Sequence, residues 1–205
     1  MGATTQIIPP PASGGGGGSV GAKPLKTGAT ISFRTGDDKD LNEGRPTDWL
    51  TLSVASPFGN TNRFTDEFGG ATYASGVVID WSTFDGPTVL GWAQTISATG
   101  KTWNKAIDEA LLISLGTFTT GWQLPNANEL ASIAGWGVGA RLLAYAPFND
   151  STNARMWSST TYSGATTQAL LMGNQNGVGV VSANKTAGFY FKACREFTVT
   201  GTVLT

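Results

Sequence analysis

Apolar and polar positions change period several times along the chain. WLTLSVA (49–55) alternates strictly, with Trp49, Thr51 and Ser53 against Leu50, Leu52 and Val54, which is the two-residue period of a strand. ATISFR (29–34), VVIDW (77–81) and TVLGWAQ (88–94) read as further strands, the last two joined by a turn at Asp85, Gly86 and Pro87. The period then lengthens. TWNKAIDEALLISL (102–115) places Trp103, Ala106, Ile107, Ala110, Leu111 and Leu115 near one face at i, i+3, i+4 spacing, and predicts a helix capped by Thr102. A second, shorter helix begins inside GWQLPNANEL (121–130). Asn126 and Glu129 have the spacing of a capping box, Pro125 keeps the chain extended ahead of it, and Leu130, Ile133 and Ala134 supply an apolar face. The last third returns to strands at 154–162, 167–174 and 178–183, with Gln175, Asn176 and Gly177 as a hairpin turn and 187–197 as the closing strand.

Two polar stretches interrupt the first strands. Residues 35–48 carry Asp37, Asp38 and Asp40, which invites a calcium reading. The loop lacks the glycine and final glutamate of an EF-hand, so it reads as a structural loop, with ion binding between Asp37 and Asp40 left open. Residues 56–75 form a second long loop, for which Phe58, Phe64, Phe68 and Tyr73 are the expected packing pegs.

Residues 1–24 are a separate object. Ile7 and Ile8 precede Pro9, Pro10 and Pro11, a short polyproline piece, and Gly14 to Gly18 follow as a flexible linker. One reading is a solvating tail. The sharper one is a docking peptide on a tether, because a solvating tail has no need of an Ile-Ile pair.

Composition narrows the function classes. Only 13% of residues are charged, against about 25% in ordinary soluble proteins, and 28 glycines help fill the gap. The net charge is −1 with no basic block, which argues against nucleic-acid binding and favours association over repulsion. There is no histidine and a single cysteine, Cys194, so the commonest general base, a thiolate zinc site and an intramolecular disulfide are all missing. Neither a cofactor nor an enzyme activity is implied. Carboxylate-only catalysis would have to draw on residues such as Asp80, Asp85, Glu129 and Glu196, whose pairing the sequence does not reveal. No apolar run is long enough for membrane insertion, and the N-terminus lacks the basic and apolar parts of a secretory signal.

Four pieces in order carry a resemblance: Thr102-Trp103 with Ala106, then Trp122-Gln123-Leu124-Pro125-Asn126 with Glu129-Leu130, then Trp157-Ser158-Ser159-Thr160, then Tyr190 to Arg195. Together they resemble the C-terminal domain family of the Legionella collagen-like protein (Lcl), a C-type-lectin-like fold, over roughly residues 76–197. The resemblance implies an α+β domain of mixed, mostly antiparallel sheets with two helices. It spans 25–205, with 25–75 an N-terminal extension of the matched part and 1–24 an extended anchor and linker. It also implies structural roles for Trp103, Trp122, Leu124, Pro125, Asn126, Glu129 and Trp157. Trp122 and Leu124 pack inward, and Glu129 caps the helix or bonds near the WSST segment. Two departures stand out. Ala110 occupies the position where the family often has a second cysteine, which leaves Cys194 a buried free thiol, and Gln123 replaces the usual arginine. The calcium- and sugar-holding triplets of true C-type lectins are absent, so no metal is implied. The enzymes that share this fold need reactive cysteines, which one cysteine in an apolar strand does not supply.

The fold is also used by phage receptor-binding proteins, and the expectation is a bacteriophage virion surface protein: a head fibre, decoration or tail component. Residues 1–12, with Ile7, Ile8, Pro9 and Pro10 at their centre, would bind a capsid or tail protein. The domain would face the host surface, as a homo-oligomer and, by analogy with fibrous virion proteins, a trimer. The alternative is a bacterial surface adhesin or glycan-binding lectin. In phage proteins of this fold the variable face lies on loops between late strands, which points here to Tyr162, Asn174, Gln175 and Asn176. Ordinary turn chemistry accounts for the same asparagines.

Overall fold

A computed structural model describes residues 50–52, 55–134, 143, 146–148, 155–174 and 178–205. The expected anchor peptide, the strand at 29–34, the Asp37–Asp40 loop and the hairpin turn at 175–177 lie outside the described residues. The described part is α+β. One sheet runs in the order β1 (Phe64–Thr65), β2 (Val77–Asp80), β3 (Thr88–Ala93), β7 (Cys194–Thr200), β8 (Val203–Leu204). A second contains β4 (Met156–Thr161), β5 (Gln168–Asn174) and β6 (Val178–Asn184). All pairings within the two sheets are antiparallel. Helices α1 (Trp103–Leu111) and α2 (Ala127–Ser132) lie between β3 and β4 in sequence.

Strand alternation divides the core into two layers. Val77, Ile79, Val89, Ala93 and Phe197 face one side of the larger sheet, with Ala106, Ala110, Trp122 and Trp157. Val78, Trp92 and Cys194 face the other, with Leu130, Ile133, Met156 and Met172. β2 lies between β1 and β3 and is buried at every residue, which is why its apolar run does not alternate. Val89 pairs with Phe197 and Gly91 with Arg195. A Cβ on Gly91 would stand 2.4 Å from Phe197 Cε2, so the ring occupies the space that a larger residue at 91 would need.

The helices start by different means. Asn126 Oδ1 accepts from Asn128 N and Glu129 N, and Glu129 Oε2 accepts from Asn126 N at 2.7 Å, so the capping box read from the sequence is present. Thr102, by contrast, makes no side-chain cap bond. There Trp103 N donates to Lys185 O, a tertiary contact in place of the local one. α1 also ends four residues earlier than its periodicity suggests. Leu111 and Leu112 are 57% and 80% exposed, while Ile113 and Leu115 pack on the core from non-helical chain.

Other expectations are corrected in the loops and at the C-terminus. Phe58, Phe64 and Tyr73 pack as pegs, but Phe68 is 81% exposed. Asp66 explains the difference: its carboxylate accepts from the backbone N–H groups of Phe68, Gly70 and Thr72, closing a tight turn with Phe68 outside it. The closing strand begins later than residue 187. Lys101 bridges to Phe189 and Met156 to Tyr190, regular pairing starts at Cys194, and a turn at Gly201 (φ 61°) adds β8.

Candidate functional site

The quoted stretch GWQLPNANEL is a junction between elements. Trp122 and Leu124 are buried, and Trp122 Nε1 donates to Phe118 O. Gln123 N donates to Cys194 O and Cys194 N to Gln123 O, so the segment is hydrogen-bonded to the start of β7. Ser159 N donates to Pro125 O and Ala127 N to Thr160 Oγ1, which joins α2 to the WSST strand. Two further indoles complete the bracing. Trp103 Nε1 donates to Ser158 O and Trp157 Nε1 to Lys101 O, each at 2.8 Å, so β4 is tied to α1 and to the chain just before it. Lys185 Nζ lies 3.9 Å from the centre of the Trp103 ring.

Residues of the same junction line a cleft of about 220 Å³, where Gln123, Asn126, Glu129 and Ser159 meet Ile107, Leu111 and Leu124. Glu129 is already engaged by the cap, and its Oε2 lies 3.8 Å from Cys194 Sγ. Burial pushes the Cys194 thiol well above its ordinary range, and the Glu129 carboxylate adds to the shift. A thiol held protonated in this way is a poor nucleophile. Of the other carboxylates singled out in the sequence, two are tied up in the fold and the third is on the surface. Asp80 pairs with Arg63, Asp85 Oδ1 accepts from Thr88 N and Oγ1, and Glu196 is exposed on β7. Among the described residues no group of three or more His, Cys, Asp or Glu is placed to hold a metal ion, and no helix is long and apolar enough to cross a membrane.

The two described candidate contact residues fall at opposite ends of the smaller sheet, Tyr162 beside the start of β5 and Asn174 at its end, so the fold does not bring them together. Tyr162 follows β4 in a turn closed by Tyr162 N to Gln168 O, Ala165 N to Tyr162 O and Gln168 N to Ala165 O. Its ring lies over Gly164, where a Cβ would come within 2.7 Å of Tyr162 Cε1, and the residue remains 39% exposed. Asn174 is the last residue of β5, paired with Val178. Gln175 and Asn176 lie outside the described residues, as do Ile7, Ile8, Pro9 and Pro10.

Two buried cations were not recognised from the sequence. Arg63 Nε and Nη2 donate to the two oxygens of Asp80 at 2.9 and 2.7 Å, and Nη2 also reaches Ser132 O, so one guanidinium joins β1, β2 and α2. An aspartate inside the apolar run VVIDW is itself a signal that a buried partner is required. Lys192, 1% exposed, donates from Nζ to Ala93 O and Gln94 O and sits 4.5 Å from the centre of the Phe148 ring.

With this geometry in place, the comparisons with known proteins give one match. The family model of the Lcl C-terminal domain fits residues 82–195, more than half of the 205-residue chain. The matched stretch holds α1, α2, all three strands of the smaller sheet and the bracing tryptophans 103, 122 and 157. No curated protein matches the chain.

Proposed function

The chain belongs to the Lcl C-terminal domain family, which points to a surface-associated domain, and from that premise we propose that it is a display module on the surface of a bacteriophage virion. In this reading residues 1–12 bind a capsid or tail protein, the glycine run acts as a swivel, and a C-type-lectin-like domain meets the host surface. The observation that carries the proposal is Tyr162. Its ring rests against Gly164 on a turn with three backbone hydrogen bonds, and its outer face is open. A rigid aromatic on an exposed turn offers contact area at low ordering cost, which is how binding faces use tyrosine. The tryptophan bracing behind it holds that turn on a fixed base.

Two measurements test the reading. Full-length protein and a form starting at Gly21 are compared by co-sedimentation with purified particles. Full-length protein is expected to travel with particles and the shortened form is not; failure of both to travel overturns the virion assignment. Tyr162→Ala is then compared with the parent for adsorption to host cells, where loss of adsorption with unchanged thermal unfolding is expected. A bacterial adhesin or glycan-binding lectin is the second reading, because the Tyr162 face also suits a sugar ring. Binding on a glycan array without particle association would favour it.

A further inference from the structure

The outer edge of the smaller sheet has a property that the display reading does not require. β6 pairs with β5 along its whole length, from Gln168↔Asn184 to Asn174↔Val178. Among the described residues no strand pairs with its other side. Val180 and Val181 are 47% and 45% exposed, and Ser182 is exposed beside them.

The backbone pattern of that edge follows from one bond. Lys185 N donates to Thr167 O. In an antiparallel pair every second residue turns its N–H and C=O to the same neighbour. Lys185, Ala183, Val181 and Gly179 therefore turn theirs to β5, and Ser182, Val180 and Val178 turn theirs to the open side. Natural sheets blunt such edges with charge, proline or a bulge. VGVVSAN contains no charge and no proline, and its register with β5 is unbroken.

We propose that this edge is a self-association surface, on which β6 of one copy pairs antiparallel with β6 of a second copy about a two-fold axis at Val180. The outward set maps onto itself in that arrangement. Val180 lies opposite Val180 of the second copy, and Val178 lies opposite its Ser182. Each pair exchanges two backbone bonds, about six in all. Charge supports a second copy as the occupant: the strand is neutral and the chain carries a net charge of −1, so self-pairing brings no like charges together. The product is one six-stranded sheet. A single edge buries less than the roughly 1,200 Å² of a standard interface, so the pair is weak in solution and gains from high local density on a shared surface.

The test is sedimentation velocity of the full chain over a concentration series. Concentration-dependent dimerisation is expected for the parent. Val180→Lys and Val180→Glu, each alone, are expected to weaken it at least about tenfold, because like charges then lie directly opposite. An equimolar mixture of the two variants is expected to restore pairing, which only a register centred on residue 180 does. Ser182→Pro removes an N–H aimed at the open side and none aimed at β5, so it is expected to weaken pairing without lowering the thermal midpoint. A parent that stays monomeric to its solubility limit, or a dimer indifferent to all three substitutions, overturns the proposal.

Discussion

β2 and β6 have similar apolar sequences, VVID and VGVVSAN, and opposite surroundings. β2 has a strand on each side, one core layer on each face, and no exposed residue. β6 has one neighbouring strand, and Val180 to Ser182 stay in solvent. A short apolar run is therefore compatible with a central strand or with an edge. What packs around it decides, and the exposed version is the edge we propose for self-association. The larger sheet is covered on both faces, and the smaller sheet, braced on its β4 side by Trp103 and Trp157, carries the exposed turn and edge.

The strongest way to break that contrast is Arg63→Ala. It leaves the Asp80 carboxylate buried without its guanidinium and is expected to cost about 3–5 kcal/mol in denaturant unfolding. A loss under about 1 kcal/mol would mean that this pair does not hold β1 and β2 together. Gly91→Ala comes next, with an expected loss of about 1–3 kcal/mol, because Phe197 must move from the position it holds over β3.

Alkaline pH probes the other layer. The Cys194 thiol is raised by burial and then by Glu129, and the Tyr73 hydroxyl is pushed up to about 12 by burial and then by Asp66. Both groups stay protonated in the fold at pH values where the unfolded chain has released the proton. Their contribution is complete below the unfolded values and is lost as pH rises. Stability is expected to fall from about pH 9 upward, by at most about 1.4 kcal/mol per pH unit from Cys194, with Tyr73 adding to the fall above about pH 10. Unfolding curves of Cys194→Ala are expected to lack the first part of that decline.

Asn126→Ala removes the α2 cap and is expected to cost about 1 kcal/mol by thermal unfolding. Tyr162→Ala is the smallest, within about 0.5 kcal/mol, because the ring lies on the surface of its turn. A large loss there would make Tyr162 part of the scaffold and count against the proposed display role.

Legibility followed sequence distance. The α2 capping box spans four residues and was read correctly, as was the β5–β6 pair flanking 175–177. The order of TW, WQLP, WSST and the segment from Tyr190 to Arg195 revealed the family. The start of α1 after Thr102 was read correctly, although without the side-chain cap bond; its end was not readable, because the chain leaves the helix before Leu115. Phe68 looked like a peg because an aromatic in a loop usually packs; the Asp66 turn excludes it from the core. Asp80 was visible as a carboxylate in an apolar strand, but Arg63 as its partner depends on the register that sets Phe64 opposite Asp80.

By itself the sequence determined the local chemistry: strand periods, the Asn126–Glu129 cap, a lone cysteine, and an ordered set of family motifs. These depend on residues a few positions apart, whose geometry the backbone already restricts. Only the tertiary structure decided which apolar run became the central strand and which the open edge. It also decided which tryptophan N–H meets which carbonyl more than fifty residues away, and where Arg63 finds its carboxylate. Those outcomes depend on pairing and burial between distant segments, which local propensity does not encode.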